Sequence, residues 1–268
     1  MGQAKNRLRS YEDLLKKHPF CIFCGGNTPS ATVDHIPAKI MFDGSLRPKG
    51  LEFAACKVCN HGARKADLAA AWVGRIYPDP QTQMQKNDLF KLLQSISNNF
   101  PELLIEMKMP RGAEKIGLKK VQNYGDGGLL RANGPTLTRH MNIFSLKLGL
   151  ALHHETTKKI VGSKGGIAIR WFSNYEKFSG DFPDEIAEIM GPSKTLQNGR
   201  NQVSGQFDYA WRVSDDGEIG VYFAYFRMSF AVFMAVALDK TVLQPKFKME
   251  GLKVFTALEL KQKLEQEK

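Results

Sequence analysis

The order of apolar and polar positions along the chain predicts a loop-rich segment enclosed by helices. Residues 20–60 mix turn formers with short apolar pairs and show no helical period, which is typical of short strands joined by turns. Residues 8–17 have the pattern of a short amphipathic helix, and residues 63–76 carry apolar side chains at helical spacing. We therefore expect short strands that are packed between two helices.

The pattern changes further along the chain. Residues 142–156 have the period of a helix, whereas residues 166–172 and 207–213 have the composition and alternation of strands. Residues 215–217, Asp-Asp-Gly, supply turn chemistry before the apolar run 219–237, so a hairpin is expected there. Together these patterns predict an α+β fold with an antiparallel sheet.

A break separates the two regions. Pro78 and Pro80, followed by the polar residues 81–87, interrupt the helical pattern. We therefore expect a small N-terminal module over residues 1–76 and a larger α+β domain over residues 87–268.

Composition adds size and compartment to this prediction. The chain has 268 residues, of which 43% are hydrophobic, which is enough for a substantial buried core. The first residues include Lys5, Arg7 and Arg9 but no apolar run of the kind a signal peptide contains. The sequence also has no uninterrupted apolar stretch of the length that a membrane helix requires. We expect a soluble, cytoplasmic protein with no membrane partner.

The charge favours a polyanionic partner. The formal net charge is +11, and residues 1–75 contain twelve Lys or Arg against six Asp or Glu, so more than half of the excess lies in this segment. Lys and Arg that neutralise phosphates release condensed counterions from nucleic acid. DNA is therefore the expected partner, although a basic, merely soluble protein has the same composition.

All four cysteines fall in two Cys-x-x-Cys pairs, Cys21/Cys24 and Cys56/Cys59. Four thiolates at this spacing are typical of a tetrahedral zinc site rather than of a secreted disulfide framework. Gly25-Gly26 and Asn60 follow the two pairs, and these residue types tolerate the left-handed turn of a zinc knuckle. On the cysteines alone, a zinc ribbon that only folds or binds remains an equal alternative.

The residues between and after the two knuckles favour catalysis. The sequence resembles the zinc-stapled branch of the HNH endonuclease family over about residues 20–76. The matching segments are Cys21-Ile22-Phe23-Cys24-Gly25, Asp34-His35-Ile36-Pro37 and Cys56-Lys57-Val58-Cys59-Asn60. This resemblance implies a small ββα-metal module that hydrolyses DNA phosphodiester bonds and leaves 5′-phosphate and 3′-hydroxyl ends.

The chemistry of hydrolysis gives each of these residues a role. Asp34 and Asn60 offer the hard oxygen ligands that suit Mg²⁺ or Mn²⁺, and His35 is the expected general base. Adjacent strand side chains alternate, so His35 is expected to face away from Asp34. Asn60 can instead be the left-handed residue of the knuckle, in which case His61 replaces it as the ligand.

The sequence departs from the family in two places. Leu51, with Glu52 beside it, stands where the family has an asparagine that supports the loop bearing the base. The family lysine after the second knuckle also has no match in register, so Arg64 or Lys65 is expected to contact phosphate instead.

Two other functions fit the same motifs, namely a non-catalytic zinc module that binds nucleic acid or protein, and a ribonuclease. The C-terminal domain can select the target, bind a protein partner or a second copy of the chain, or regulate the nuclease.

Overall fold

The computed structural model describes residues 2–76, 82–110, 129–179, 205–247 and 249–267, with shorter described pieces at 112, 186, 193–194, 197–198 and 201–203. The helices are α1 (Gly2–Lys17), α2 (Lys57–His61), α3 (Arg64–Val73), α4 (Gln83–Asn99), α5 (Pro101–Met107), α6 (Pro135–Thr157), α7 (Asn174–Ser179), α8 (Leu243–Lys246) and α9 (Ala257–Glu265). Short 3-10 helices lie at Lys39–Met41, Asp43–Ser45 and Lys240–Val242.

The strands are β1 (Thr32–His35), β2 (Glu52–Ala55), β3 (Gly166–Ser173), β4 (Ser193–Lys194), β5 (Gln197–Asn198), β6 (Asn201–Gln202), β7 (Asp208–Val213), β8 (Ile219–Phe226), β9 (Phe230–Ala237) and β10 (Lys253–Phe255). Within the described residues, six of these strands form an antiparallel sheet in the order β10-β3-β9-β8-β7-β4. The predicted α+β class and antiparallel sheet are confirmed.

The hairpin between β7 and β8 forms where the sequence predicts it. Ser214 and Ile219 close the turn with a backbone hydrogen bond of 2.9 Å, and Gly217 adopts a φ of 67°. A positive φ is accessible to glycine at low cost, so the Asp-Asp-Gly sequence sets the position of the turn.

In the N-terminal module, β1 pairs antiparallel with β2, and α2 and α3 follow directly. The register places Asp34 opposite Phe53 and His35 opposite Glu52. Along β1, Asp34 is buried, whereas Thr32, Val33 and His35 are half-buried. The short strands predicted within residues 20–60 are therefore present.

Helix α6 lies at the centre of the molecule. Pro135 occupies its first turn, where the missing N–H has no intrahelical partner in any case, and Lys158 ends it with a φ of 60°. The helix contacts α3 on one side and strands β3 and β9 on another. Because it is apolar around much of its circumference, α6 is a core element shared by the N-terminal module and the sheet.

The apolar core runs through both predicted domains. One cluster of buried side chains includes Phe23 from the N-terminal module, Phe144 from α6, Met234 from β9 and Leu264 from α9. The boundary is predicted between residues 76 and 87, and residues 77–81 of this stretch lie outside the described residues. The division into two domains stays a prediction, while the N-terminal module packs directly against the rest of the chain.

A buried ion cluster adds a polar connection between the same regions. The carboxylate of Asp43 accepts hydrogen bonds from Arg75 at 3.0 Å, from Arg227 at 2.6 and 3.2 Å, and from Gln85 at 2.8 Å. Arg227 follows β8, so this cluster joins the N-terminal module to the sheet. Breaking a buried pair of this kind typically costs about 3–5 kcal/mol, because the remaining charge stays buried.

Among the described residues, none of the helices has both the length and the apolar composition that crossing a membrane requires.

Candidate functional site

The four cysteines meet at one point in the fold. Cys21, Cys24, Cys56 and Cys59 are all buried, and their sulfur atoms lie within 4.8 Å of one another. Four soft sulfur donors at this separation are the donor set that a tetrahedral metal ion takes in proteins. The cluster can therefore hold a metal ion.

Local backbone geometry builds this cluster from its two knuckles. Gly25 and Gly26 adopt φ values of 76° and 73°, as predicted for the turn after the first pair. Cys56 precedes α2, and its sulfur accepts a hydrogen bond from the backbone N–H of Cys59 at 3.5 Å. Asn60 lies within α2 in a helical conformation, so the alternative that it supplies a left-handed turn is wrong.

The thiols strongly affect one another's ionisation. A hydrogen bond from Cys21 lowers the pKa of Cys24 to about 6. Hydrogen bonds with Cys21, Cys24 and Cys56 instead raise the pKa of Cys59 well above its usual range. Thiols this close cannot all ionise unless a cation compensates their charge, and a bound metal ion would supply that compensation.

A cleft of about 1230 Å³ opens beside the cluster. Its lining includes Asp34, His35 and Asn60, so the three residues predicted to be catalytic share one concavity. Part of helix α1, including Tyr11, forms one wall of the cleft.

Asp34 has partners on both carboxylate oxygens. Oδ1 accepts a hydrogen bond from the backbone N–H of His35 at 2.7 Å, and Oδ2 accepts one from the Lys147 ammonium at 2.6 Å. Asp34 is 5% exposed and Lys147 is 1% exposed. The carboxylate is therefore held in a fixed position by a buried cation from α6.

The His35 side chain contacts Tyr11 of α1. Its Nε2 lies 2.9 Å from the hydroxyl oxygen of Tyr11, and the two rings meet edge to face with their centroids 5.9 Å apart. Leu51, which stands where the family has its supporting asparagine, is a buried apolar residue here. Tyr11 thus provides a polar contact to the imidazole that the sequence comparison with the family did not predict.

Asn60 is oriented by β1. Its Nδ2 donates to Thr32 Oγ1 at 3.1 Å and to the carbonyl oxygen of Val33 at 3.3 Å. Because the amide nitrogen faces the strand, Oδ1 is the acceptor at the opposite end of the amide group.

Two further charged residues of the site were not predicted. Lys147 approaches Asp34 from α6, and Asp67 of α3 lines the cleft. Burial raises the pKa of Asp67 to about 7, with the Lys147 charge opposing this rise and the Asp34 charge adding to it. A helical-face argument could have found Asp67, because Ala63 and Ala70, four and three residues away, are buried on the same side.

The other predicted contacts lie elsewhere. His61, Arg64 and Lys65 line a separate concavity of about 410 Å³. Lys65 pairs with Glu102 at 3.1 Å and lies over the ring of Phe100 at 5.0 Å. The structure does not bring these three residues together with Asp34, His35 and Asn60.

Other basic residues surround the cleft instead. The side chains of this kind in its lining are Lys17, Lys39, Arg47, Lys49 and Lys158. Acidic residues Asp13, Glu52 and Glu155 also line it, and Glu52 pairs with Arg47. With Asp34 and Asp67 the lining has five acidic side chains and five basic ones. The basic side chains can contact an anionic ligand such as a phosphate backbone.

The donor set also fits a divalent cation. Asp34 and Asn60 offer hard oxygen atoms, which Mg²⁺ and Mn²⁺ prefer. Each carboxylate oxygen of Asp34 accepts one hydrogen bond and has a second lone pair.

No protein-family model, curated protein or solved structure matches the chain.

Proposed function

We propose that the protein is a metal-dependent endonuclease that hydrolyses DNA phosphodiester bonds. The observation that carries this proposal is the cleft, in which Asp34, His35 and Asn60 share one lining with five basic side chains, and in which Asn60 directly follows Cys59 of the cysteine cluster. Each residue type has a role in phosphodiester hydrolysis, and Asn60 of α2 lies with the adjacent pair Asp34 and His35 of β1 although it belongs to a different element.

The cysteine cluster is proposed to hold structural zinc. Thiolate sulfurs of Cys21, Cys24, Cys56 and Cys59 would be the four ligands, which leaves no open position for substrate. Such a site stabilises the fold and takes no part in hydrolysis. The cluster lies next to β1 and α2, which carry Asp34 and Asn60. A bound zinc ion would therefore hold these two residues in fixed positions relative to each other.

His35 is proposed to act as the general base. Its Nδ1 would accept a proton from the attacking water as that oxygen bonds to phosphorus and the bond from phosphorus to the 3′ oxygen breaks. Its Nε2–H would donate to the Tyr11 hydroxyl oxygen, which would fix the plane of the ring. A correctly placed base contributes roughly 10²- to 10⁴-fold to the rate.

Asp34 and Asn60 are proposed to hold Mg²⁺ or Mn²⁺. When bound, such an ion supplies a positive charge that stabilises the developing charge on the phosphate and leaving oxygens. Asp34 contributes a carboxylate oxygen whose position Lys147 fixes, and Asn60 contributes Oδ1, because its nitrogen is bound to β1.

The basic lining of the cleft is proposed to bind the DNA backbone. Lys17, Lys39 and Lys158 offer ammonium groups around the catalytic residues, where they can neutralise phosphates without reading sequence. This assignment replaces Arg64 and Lys65, which line the separate concavity.

The test is nicking of supercoiled plasmid by the purified protein in Mg²⁺ or Mn²⁺, with and without EDTA. We expect metal-dependent nicking that His35→Ala abolishes and that His61→Ala leaves intact, because His61 lies outside the cleft. Labelled DNA and RNA offered in equal amounts distinguish a deoxyribonuclease from a ribonuclease. Binding of DNA without any nicking would instead indicate a non-catalytic zinc module.

A further inference from the structure

A buried cation lies next to the carboxylate that is proposed to hold the divalent ion. The Lys147 ammonium is 2.6 Å from Asp34 Oδ2 and is 1% exposed, and it also lies 5.2 Å from the ring centroid of Phe23. Lys147 comes from α6, so the residue that neutralises Asp34 lies outside the N-terminal module.

Lys147 is charged in this position. It forms a buried ion pair with the Asp34 carboxylate at 2.6 Å, and a carboxylate at this distance stabilises the ammonium form. A positive charge this close to Asp34 cancels part of the negative electrostatic potential that would otherwise attract a divalent ion.

The net charge of the group follows from its members. Asp34 and Asp67 carry two carboxyl groups and Lys147 carries one ammonium group, while Asn60 is neutral. The group therefore offers a divalent ion at most one net negative charge. Protein sites with few uncompensated carboxylates hold Mg²⁺ weakly and complete its binding with substrate phosphate.

We infer that Lys147 is an affinity-determining residue of the divalent-ion site: its ammonium keeps the ion weakly bound until a DNA phosphate adds the missing negative charge. This inference rests on the proposed function, because it takes Asp34 as an ion ligand. It predicts that the ion and DNA increase each other's affinity by the same factor, as linked ligands must.

The test measures Mn²⁺ binding directly, by electron paramagnetic resonance of the free ion, with protein that retains its zinc. Lys147→Met removes the charge and keeps a long apolar chain, so we expect Mn²⁺ to bind at least about tenfold more tightly without DNA. Lys240→Met is the matched control, because it removes one exposed lysine outside the cleft and should leave the affinity unchanged.

A second variant covers the case in which Lys147→Met does not fold. Asp67→Asn removes a carboxylate while keeping the shape of the side chain, and it should weaken Mn²⁺ binding by about tenfold or more. Thermal unfolding and zinc content show whether each variant retains the fold.

The DNA arm uses the His35→Ala background, so that a short duplex is not cleaved. We expect the duplex to tighten Mn²⁺ binding when Lys147 is present and to have a smaller effect in Lys147→Met. Equal Mn²⁺ affinity in the folded Lys147→Met, Asp67→Asn and parent proteins would overturn the inference. Plasmid nicking is read separately, so its absence would contradict the proposed function without changing these affinities.

Discussion

At the scale of single residues, neighbouring side chains in the cleft have separable roles. Asp34 and His35 are adjacent in sequence, yet Asp34 is paired with a buried lysine and His35 with a tyrosine hydroxyl. Their partners come from α6 and α1, respectively. Substitution of either residue should therefore affect a different step of the reaction.

Substitution of the proposed base and of the proposed ion ligand should give different defects. His35→Ala should leave Mn²⁺ and DNA binding nearly unchanged and slow cleavage by roughly 10²- to 10⁴-fold, because only proton abstraction is lost. Asp34→Asn should weaken the ion, so raising Mg²⁺ or supplying Mn²⁺ should partly restore cleavage. The measurement is the single-turnover rate across metal concentrations, and a wild-type rate for His35→Ala would refute its assignment as base.

Tyr11 should matter through His35 rather than through DNA binding. Tyr11→Phe removes the hydroxyl that contacts Nε2 and retains the ring, so kcat should fall by about 10- to 100-fold with little change in KM. The nitrogen chemical shifts of the His35 ring should also change. The matched control is Tyr175→Phe, since Tyr175 lines a different cavity. Tyr11→Phe in a His35→Ala background should have no further effect; an additive loss would show a separate role for Tyr11.

These contacts also show how far the sequence predicts the site. Asp34, His35 and Asn60 were predicted because they flank the cysteine knuckles within a short stretch of chain. Tyr11 and Lys147 were not, because their contacts with His35 and Asp34 span 24 and 113 residues and no local pattern relates them. A lysine among buried apolar residues, as Lys147 is between Phe144 and Leu150, is nevertheless a signal that a buried partner exists.

At the scale of elements, the cysteine cluster and α2 depend on each other. Helix α2 has only five residues, and Cys56 and Cys59 supply its N-terminal hydrogen bond as well as half of the sulfur donors. A helix this short is not stable by its own hydrogen bonds. The orientation of Asn60 should therefore depend on the cysteine cluster.

Removal of the metal should consequently unfold the N-terminal module. We expect purified protein to contain about one zinc ion per chain, measured by elemental analysis. Cys56→Ser should lose the zinc and most of the thermal stability, because one metal ligand and the cap of α2 are lost together. Lys57→Ser, an exposed change in the same helix, is the control. A Cys56→Ser protein that melts like the parent would exclude a structural metal.

Elements with a strong local period were predicted well, whereas their ends were not. The hairpin of β7 and β8 was predicted by alternation and turn residues. Helix α6 begins at Pro135, seven residues before the predicted start at 142, because proline is favoured in a first helical turn and its neighbours pack into the core. Packing against distant elements is absent from a single sequence, and it sets such boundaries.

At the scale of the whole molecule, Asp43 is the centre of a buried polar network that links the N-terminal module with the sheet. Burial raises the pKa of Asp43, but hydrogen bonds from Arg227 and Gln85, the Arg227 charge and the hydrogen bond from Arg75 hold it below its usual value. A carboxyl group with a depressed pKa in the folded state stabilises the protein at neutral pH. That contribution is lost as pH falls below about 4 and the group becomes protonated.

Asp43→Asn should therefore lower the free energy of unfolding by about 3–5 kcal/mol at neutral pH, because two guanidinium groups lose their counter-charge inside the protein. Urea denaturation of the zinc-loaded protein at neutral and acidic pH measures this effect. The difference from the parent should persist down to about pH 4 and shrink only below it, because the carboxylate stays ionised above its depressed pKa. Asp215→Asn is the matched control, because Asp215 is exposed. A difference that disappears well above pH 4 would contradict a carboxylate with a depressed pKa.

The continuous core limits how the protein can be divided. A fragment comprising residues 1–76 would keep the cysteines and the proposed catalytic trio but would lose Lys147 and Arg227. It would also lose the chain at Leu264, which packs so close to Gly62 that its carbonyl oxygen would lie 2.7 Å from a Cβ placed on that glycine. Such a fragment would leave Asp34 without its counter-charge and would expose the apolar surface that now faces α6. We expect it to aggregate on expression even with zinc, as size-exclusion chromatography would show. Residues 1–76 are therefore not expected to fold as a separate protein.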